Sequence, residues 1–234
     1  MFRIVINPTF ESLRPFIEAL PSQFESCGTE IFRGRNVLKR YETGNRSLVV
    51  KRFKRPHLIN RFVYVTLRLS KAARSYHNAL RLLRLGIDTP QPIAYIEERH
   101  FGLCHSYLVT TELQDMEELR RLHELLDPEH ATTLLRELGR FTAEMHEKGV
   151  LHKDFSPGNL LFRIDEGKAI FSLVDINRMR FGTVSEEEGY RNFERLWLPD
   201  DDFTTLAEAY ATSRGYDPKR AVERICHYKN RYMR

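Results

Sequence analysis

Hydrophobic and polar positions fall into short strand-like runs through the first half of the chain and recur at helical spacing through the second. Between residues 30 and 53, EIFRG and VLKRYET flank Gly34-Arg35-Asn36, and SLVVKRF follows the turn Thr43-Gly44-Asn45. Glycine and asparagine tolerate the backbone angles of tight hairpins, so this segment predicts three consecutive antiparallel strands. Beyond Pro56 the period changes. Ala73, Tyr76, Ala79, Leu80 and Leu83 recur at three- and four-residue steps, and Gly86 follows as a helix C-terminal cap should. TPQPIAYIEE and HSYLVTTEL predict two further strands. The N-terminal part reads as a five-strand sheet with one main helix.

The clearest helix covers residues 127–148. Asp127 is a natural N-cap and Pro128 suits the first helical position. Leu134, Leu138, Phe141 and Met145 share one face, and Gly149 ends the element. Short apolar pieces follow: VLH, LLF, a turn at Asp165-Glu166-Gly167, then AIFSLV running into Asp175. From about Glu186 the pattern is mainly helical, and Asp217-Pro218 marks the start of the last helix. The order predicts an α+β chain forming a single domain, residues 1–234. A small antiparallel-sheet lobe (about 28–113) and a mostly helical lobe (about 114–234) are linked near Leu113.

Composition adds limits. Of 234 residues, 41% are hydrophobic, enough for a core of ordinary size, and 29% are charged. No stretch approaches the roughly 18 apolar residues that cross a bilayer. The first 20 residues carry Glu11, Glu18, Pro8 and Pro15 in place of the basic start and apolar middle of a signal peptide. Cys27, Cys104 and Cys226 are odd in number and far apart. They predict neither a disulfide framework nor a zinc site, and fit a reducing cytoplasm.

The net charge of +5 is unevenly spread. Lys51, Arg52, Lys54, Arg55, Arg61, Arg68, Lys71, Arg74, Arg81 and Arg84 fall in one run, with no acid between Glu42 and Asp88. Such a run attracts phosphates or anionic lipid. A nucleic-acid partner is disfavoured, because no recognisable reading motif accompanies the charge.

The candidate chemistry lies in three pieces. His152-Lys153-Asp154-Phe155-Ser156-Pro157-Gly158-Asn159 reads H-x-D-x-x-x-x-N between the long helix and a β-hairpin. Phosphoryl transfer needs a carboxylate to orient the acceptor hydroxyl and take its proton, which fits Asp154. It also needs oxygen ligands for magnesium, which fits Asn159 across a tight Ser-Pro-Gly turn and Asp175 at the end of an apolar strand. His152 fits a structural role, holding the loop by hydrogen bonds. Lys51, ending Val49-Val50-Lys51, can reach the phosphates of a nucleotide. Arg35, in the first hairpin turn, can supply a second cation. Each piece alone has a plainer reading as a turn former, helix cap or surface lysine. Their order along the chain, each on the predicted element, favours the functional one.

These motifs resemble the protein-kinase-like superfamily. More narrowly, GRN at 34–36, VVKRFKRPHLINR at 49–61, LGIDTPQPIAYIEE at 85–98, HKDFSPGNLLF at 152–162 and SLVDINRMRFG at 172–182 resemble the lipopolysaccharide core kinases, bacterial enzymes acting on Kdo or heptose sugars. The resemblance implies a two-lobed protein-kinase-like fold with ATP between the lobes and Mg²⁺ as cofactor. It also implies a sugar hydroxyl of a small-molecule or glycolipid acceptor. Lys51 would serve the ATP phosphates, Asp154 would be the base, and Asn159 and Asp175 would hold the metal. The connector Thr111, Glu112 and Leu113 would offer backbone groups to adenine. A cytoplasmic location follows, with peripheral contact with the inner face of the inner membrane.

The chain departs from the kinase pattern in four respects. The helix after Lys51 has no acid, and Ser75 or His77 stands where a glutamate is expected. There is no G-x-G-x-x-G loop, Asp175 is followed by Ile-Asn, and Lys153 replaces the arginine of eukaryotic protein kinases. Two other readings therefore stand beside the sugar kinase: a catalytically inert nucleotide-binding module, and an atypical protein kinase of the RIO or Bud32 type.

Overall fold

The computed structural model describes residues 1–55 and 69–232. Arg61 and Arg68 of the basic run, and residues 56–61 of the 49–61 motif, lie outside the described residues. Backbone contacts divide the chain into two compact units, Met1–Gln114 and Asp115–Arg234.

The first unit is built on a six-stranded sheet. Its strands are β1 (Phe2–Ile6), β2 (Thr29–Arg33), β3 (Val37–Thr43), β4 (Arg46–Phe53), β5 (Pro92–Arg99) and β6 (Leu103–Thr111). The spatial order is β1-β5-β6-β4-β3-β2, with every pairing antiparallel. The β2-β3-β4 meander is the one the turns predict. The N-terminal strand β1 and helix α1 (Arg14–Gln23) were not expected, so the five-strand, one-helix reading is corrected to six strands and two α-helices among the described residues. The partner of β1 is β5, some ninety residues away (Phe2↔Glu98, Ile6↔Ala94). Helix α1 carries Pro15 and Pro21, which read as breakers. Pro15 falls in the first turn, where the missing N–H has no helical partner to lose.

Strand alternation gives the sheet two apolar faces. One face holds Leu48, Val50, Ile96 and Val109 against Phe10, Leu13, Ile17, Leu20 and Phe24 from α1 and its flanks. The other holds Phe53, Tyr95 and Leu108 against Ala72, Ala73 and Tyr76 of helix α2 (Lys71–Arg84). Lys51 and Phe53 share this second face. Lys39 lies on the first face, only 5% exposed. Its Nζ donates to the carbonyls of Phe24 (2.6 Å), Glu25 (3.0 Å) and Cys27 (3.0 Å), where α1 ends. A buried cation is thereby placed against carbonyls that the helix leaves unpaired.

The second unit is mostly helical. Helix α3 (Pro128–Glu147) starts where predicted, with Asp127 accepting from the N–H groups of Glu129 and His130 at 3.0 and 3.1 Å. It lies close against α5 (Asp200–Arg214): a Cβ at Gly139 would sit 2.6 Å from the Leu206 carbonyl oxygen. Strands β7 (Glu117–Glu118), β9 (Leu160–Asp165) and β10 (Lys168–Leu173) form one small sheet, in the order β10-β9-β7. Glu166 and Gly167, both at positive φ, make the tight turn between β9 and β10. Strands β8 (Val150–His152) and β11 (Met179–Phe181) form a second pair. Helices α4 (Glu186–Asn192) and α6 (Pro218–Tyr232) and a one-turn helix at Leu122–Leu125 also belong to the unit.

His146, 1% exposed, ties three elements together. Its Nδ1 accepts from the Tyr210 hydroxyl at 2.9 Å and its Nε2 donates to Asn192 Oδ1 at 3.0 Å. Burial pushes its pKa down to about 4, so the imidazole is neutral.

Two stability predictions follow from these buried groups. Lys39→Met removes the donor from three carbonyls and should lower the unfolding free energy by about 2–3 kcal/mol, read by urea denaturation at pH 7. For His146 the folded pKa lies below the unfolded value. As pH falls through about 6.5, the unfolded chain takes up a proton that the folded chain refuses until about 4. This contribution to stability is complete above pH 6.5 and drains away toward pH 4, by about 3 kcal/mol in all. His146→Gln should flatten the slope of unfolding free energy against pH in that window.

Candidate active site

The site in the second unit starts from the end of β8. Met179 of β11 pairs with His152, and the Lys153 N–H donates to the Arg178 carbonyl at 2.9 Å, which fixes where the strand stops. The His152 ring is completely buried. Burial lowers its pKa and keeps it neutral, so its two nitrogens differ in role. Nδ1 accepts from the Asp154 N–H at 3.1 Å, and Nε2 donates to the Val174 carbonyl at 3.1 Å. One ring thus holds the loop that carries Asp154 and the strand end that precedes Asp175. This is the structural role the sequence suggested.

Asn159 closes the same loop. Its Nδ2 donates to the Asp154 carbonyl at 2.8 Å, its N–H to the Ser156 carbonyl at 2.9 Å, and its carbonyl accepts the Val174 N–H at 3.0 Å. The amide nitrogen is committed to the loop, which leaves Oδ1 as the side chain's ligand oxygen. Asp175 sits at φ 51°, ψ 42°, a left-handed conformation that costs a non-glycine residue about 1 kcal/mol. Asn177 Nδ2 donates to Asp175 Oδ1 at 2.6 Å. A carboxylate and an amide oxygen are hard donors of the kind magnesium takes, with phosphate oxygens and water filling the remaining positions, so these residues fit the ion.

Two further residues reach the surroundings of Asp154, and neither carries a local sign of this in the sequence. Arg195 Nη1 lies 2.6 Å from Asp154 Oδ1, with both side chains about one-third exposed. Asn192 Nδ2 donates to the His152 carbonyl at 2.8 Å while its Oδ1 accepts from His146. Both stand about forty residues after the loop, in a helical stretch whose charges read as a solvated face.

The nucleotide candidates of the first unit are placed as follows. Lys51 sits mid-sheet, between Leu38 and Leu108 in register, with its Nζ 5.4 Å from the centre of the Phe53 ring. Arg35 is exposed in the β2–β3 turn. Glu112 is engaged within its own unit: Arg40 Nε donates to Oε1 at 2.7 Å and the Ser47 hydroxyl to Oε2 at 2.6 Å. Its N–H donates to the Ser47 carbonyl at 3.0 Å, and the Thr111 N–H donates to Gln91 at 3.1 Å. Among the described residues, the Leu113 N–H donates to no backbone carbonyl. On α2, Ser75 is buried and His77 is exposed, with its ring edge-on to Tyr76 and Tyr95. The histidine at the expected glutamate position thus faces solvent.

Comparison with known proteins gives the same picture. The profile of the "Lipopolysaccharide kinase (Kdo/WaaP) family" matches residues 29–210. A 3-deoxy-D-manno-octulosonic acid kinase of Mannheimia succiniciproducens is 21% identical over 144 residues, covering 60% of this chain and 59% of that kinase. The KEOPS complex subunit Bud32 of Pyrococcus abyssi is 25% identical over 189 residues, covering 75% and 78% of the two chains. The solved structure of WaaP in complex with acyl carrier protein superposes with a TM-score of 0.68, at 17% identity and 99% and 98% coverage, a likeness of fold. Matched over most of its length, the chain belongs to the lipopolysaccharide kinase (Kdo/WaaP) family, and is a kinase of protein-kinase-like fold.

Proposed function

We propose that this kinase transfers the γ-phosphoryl group of ATP, with Mg²⁺, to a sugar hydroxyl of a lipopolysaccharide-core-like glycolipid. The observation that carries the reading is the His152 network, which ties the loop bearing Asp154 and Asn159 to the strand end before Asp175.

In this reading the Asp154 carboxylate accepts the proton of the acceptor hydroxyl as its oxygen bonds to phosphorus. The bond from phosphorus to the ADP oxygen breaks, and ADP leaves with the electron pair. Asn159 and Asp175 hold the magnesium. The metal, when bound, neutralises charge on the phosphate oxygens. Lys51 and Arg35 offer cations to the phosphates, and Leu113 with the Glu112 carbonyl serves adenine. The acceptor class rests on the family and on the 3-deoxy-D-manno-octulosonic acid kinase relative.

For location, the reading is cytoplasmic and peripheral at the anionic inner face of the inner membrane. Among the described residues no helix is long and apolar enough to cross a membrane. The acid-free basic run, to which α2 contributes Lys71, Arg74, Arg81 and Arg84, suits an anionic surface.

The test is phosphorylation of lipopolysaccharide core acceptors by purified protein with radiolabelled ATP. Asp154→Asn should leave folding and ADP–Mg²⁺ affinity within about twofold and cut transfer by a factor on the order of a hundred or more. Asp175→Asn should lose the magnesium dependence of nucleotide binding. Nucleotide binding without transfer to any core acceptor would favour the inert module instead.

A further inference from the structure

The end of α4, the turn after it and the last residues of α6 line an open cavity of about 310 Å³, at the lower end of the ~300–1,000 Å³ typical of small-molecule sites. Arg191, Glu194, Arg195, Tyr228, Arg231 and Tyr232 line it. Among the lining residues three guanidinium groups meet one carboxylate, and the Asp154 carboxylate held by Arg195 brings the local surplus to +1. Arg191 Nε lies 3.3 Å from Glu194. Tyr228 is fixed from outside the cavity: its hydroxyl donates to Glu187 at 2.7 Å and receives a bond from Arg224 at 3.1 Å. Among the described residues, no carboxylate lies within ion-pair distance of Arg231.

Arginines on a surface are ordinarily a solvated face. What sets this group apart is Arg195. Its guanidinium lies 5.1 Å from the Tyr232 ring, and the same group holds Asp154 Oδ1 at 2.6 Å. Arg195 therefore joins the cavity to the carboxylate that the proposed reaction uses as base.

We propose that this cavity is an oxyanion site, taking a carboxylate or phosphate group carried by the acceptor sugar. The inference rests on the kinase reading above, and adds where the acceptor is gripped and how. Guanidinium forks match the paired oxygens of carboxylate and phosphate. A monosaccharide anchored there by its anionic substituent presents a neighbouring hydroxyl to Asp154. The same anion competes for Arg195, which then loosens its hold on Asp154 Oδ1. The base is thus released for proton transfer when an acceptor is present, and stays paired when only water is.

Trp197, two residues from Arg195 and 59% exposed, is the chain's single tryptophan and provides the readout. Its fluorescence would be titrated with inorganic phosphate, glucose 6-phosphate, glucuronate and glucose at constant ionic strength, with ADP–Mg²⁺ saturating. The proposal expects saturable changes with glucose 6-phosphate and glucuronate, tighter than with inorganic phosphate, and none with glucose. The Arg191→Gln, Arg231→Gln double variant should bind these sugars at least tenfold more weakly while melting at the wild-type temperature. No saturable change, an equal response to glucose, or wild-type affinity in the double variant would overturn it. Inorganic phosphate binding as tightly as either sugar would overturn the acceptor assignment.

Calorimetry with ADP–Mg²⁺ on the same samples separates the two readings. Nucleotide binding without sugar-anion binding overturns the oxyanion site and leaves the kinase reading standing. Sugar-anion binding without nucleotide binding supports the site and overturns the kinase reading.

Discussion

The neutral imidazole of His152 is the constraint on which the rest of the site depends. It must accept at one nitrogen and donate at the other, and protonation would set a donor against the Asp154 N–H. Complete burial enforces neutrality by penalising the charged form. The His152 carbonyl is in turn held by Asn192, Asn192 by His146, and His146 by Tyr210 of α5. A chain of hydrogen bonds thus runs from the packed helices to the loop that bears Asp154. Each bond is worth about 1 kcal/mol net, but an orphaned buried member costs about 1–3 kcal/mol, so the chain is strongest when complete. Loop geometry in this unit is therefore set by the helical core behind it.

Much of this was legible in the sequence, because the legible parts are local. The β2-β3-β4 meander is written in its turns, α3 in Asp127-Pro128, and the loop in the five-residue interval from Asp154 to Asn159. What stayed hidden depends on partners distant in sequence. Strand β1 has no hairpin partner nearby, and Lys39 looks like any strand lysine until α1 ends over it. Arg195 and Asn192 sit in a segment whose charges alternate as on a solvated helix, and nothing at that spacing reveals that two of its side chains turn back to the loop. Glu112 shows the same limit from the other side. A residue read as part of the connector proves to have its side chain and N–H engaged within the sheet.

The missing acid of α2 takes a different meaning once burial is known. In the sequence, His77 stands where a glutamate would face the strand lysine, and a protonated imidazole there would repel it. In the structure His77 is exposed and rests edge-on to Tyr76 and Tyr95, while Ser75 is the buried position. The substitution therefore puts no cation against Lys51 and costs the sheet nothing. It does remove one source of orientation: residues 71–84 contain no carboxylate, so α2 cannot hold the ammonium by an ion pair. The lysine stem is instead packed on the apolar face that includes Phe53, with Leu108 opposite in register. Packing along the stem fixes where such a side chain emerges from the sheet. In the other unit the charge logic runs in reverse. Asp154 is met by a guanidinium from its own unit, so the carboxylate is oriented before any ligand arrives. An ion pair of this kind, one-third exposed on both sides, is an arrangement that a competing anion can loosen.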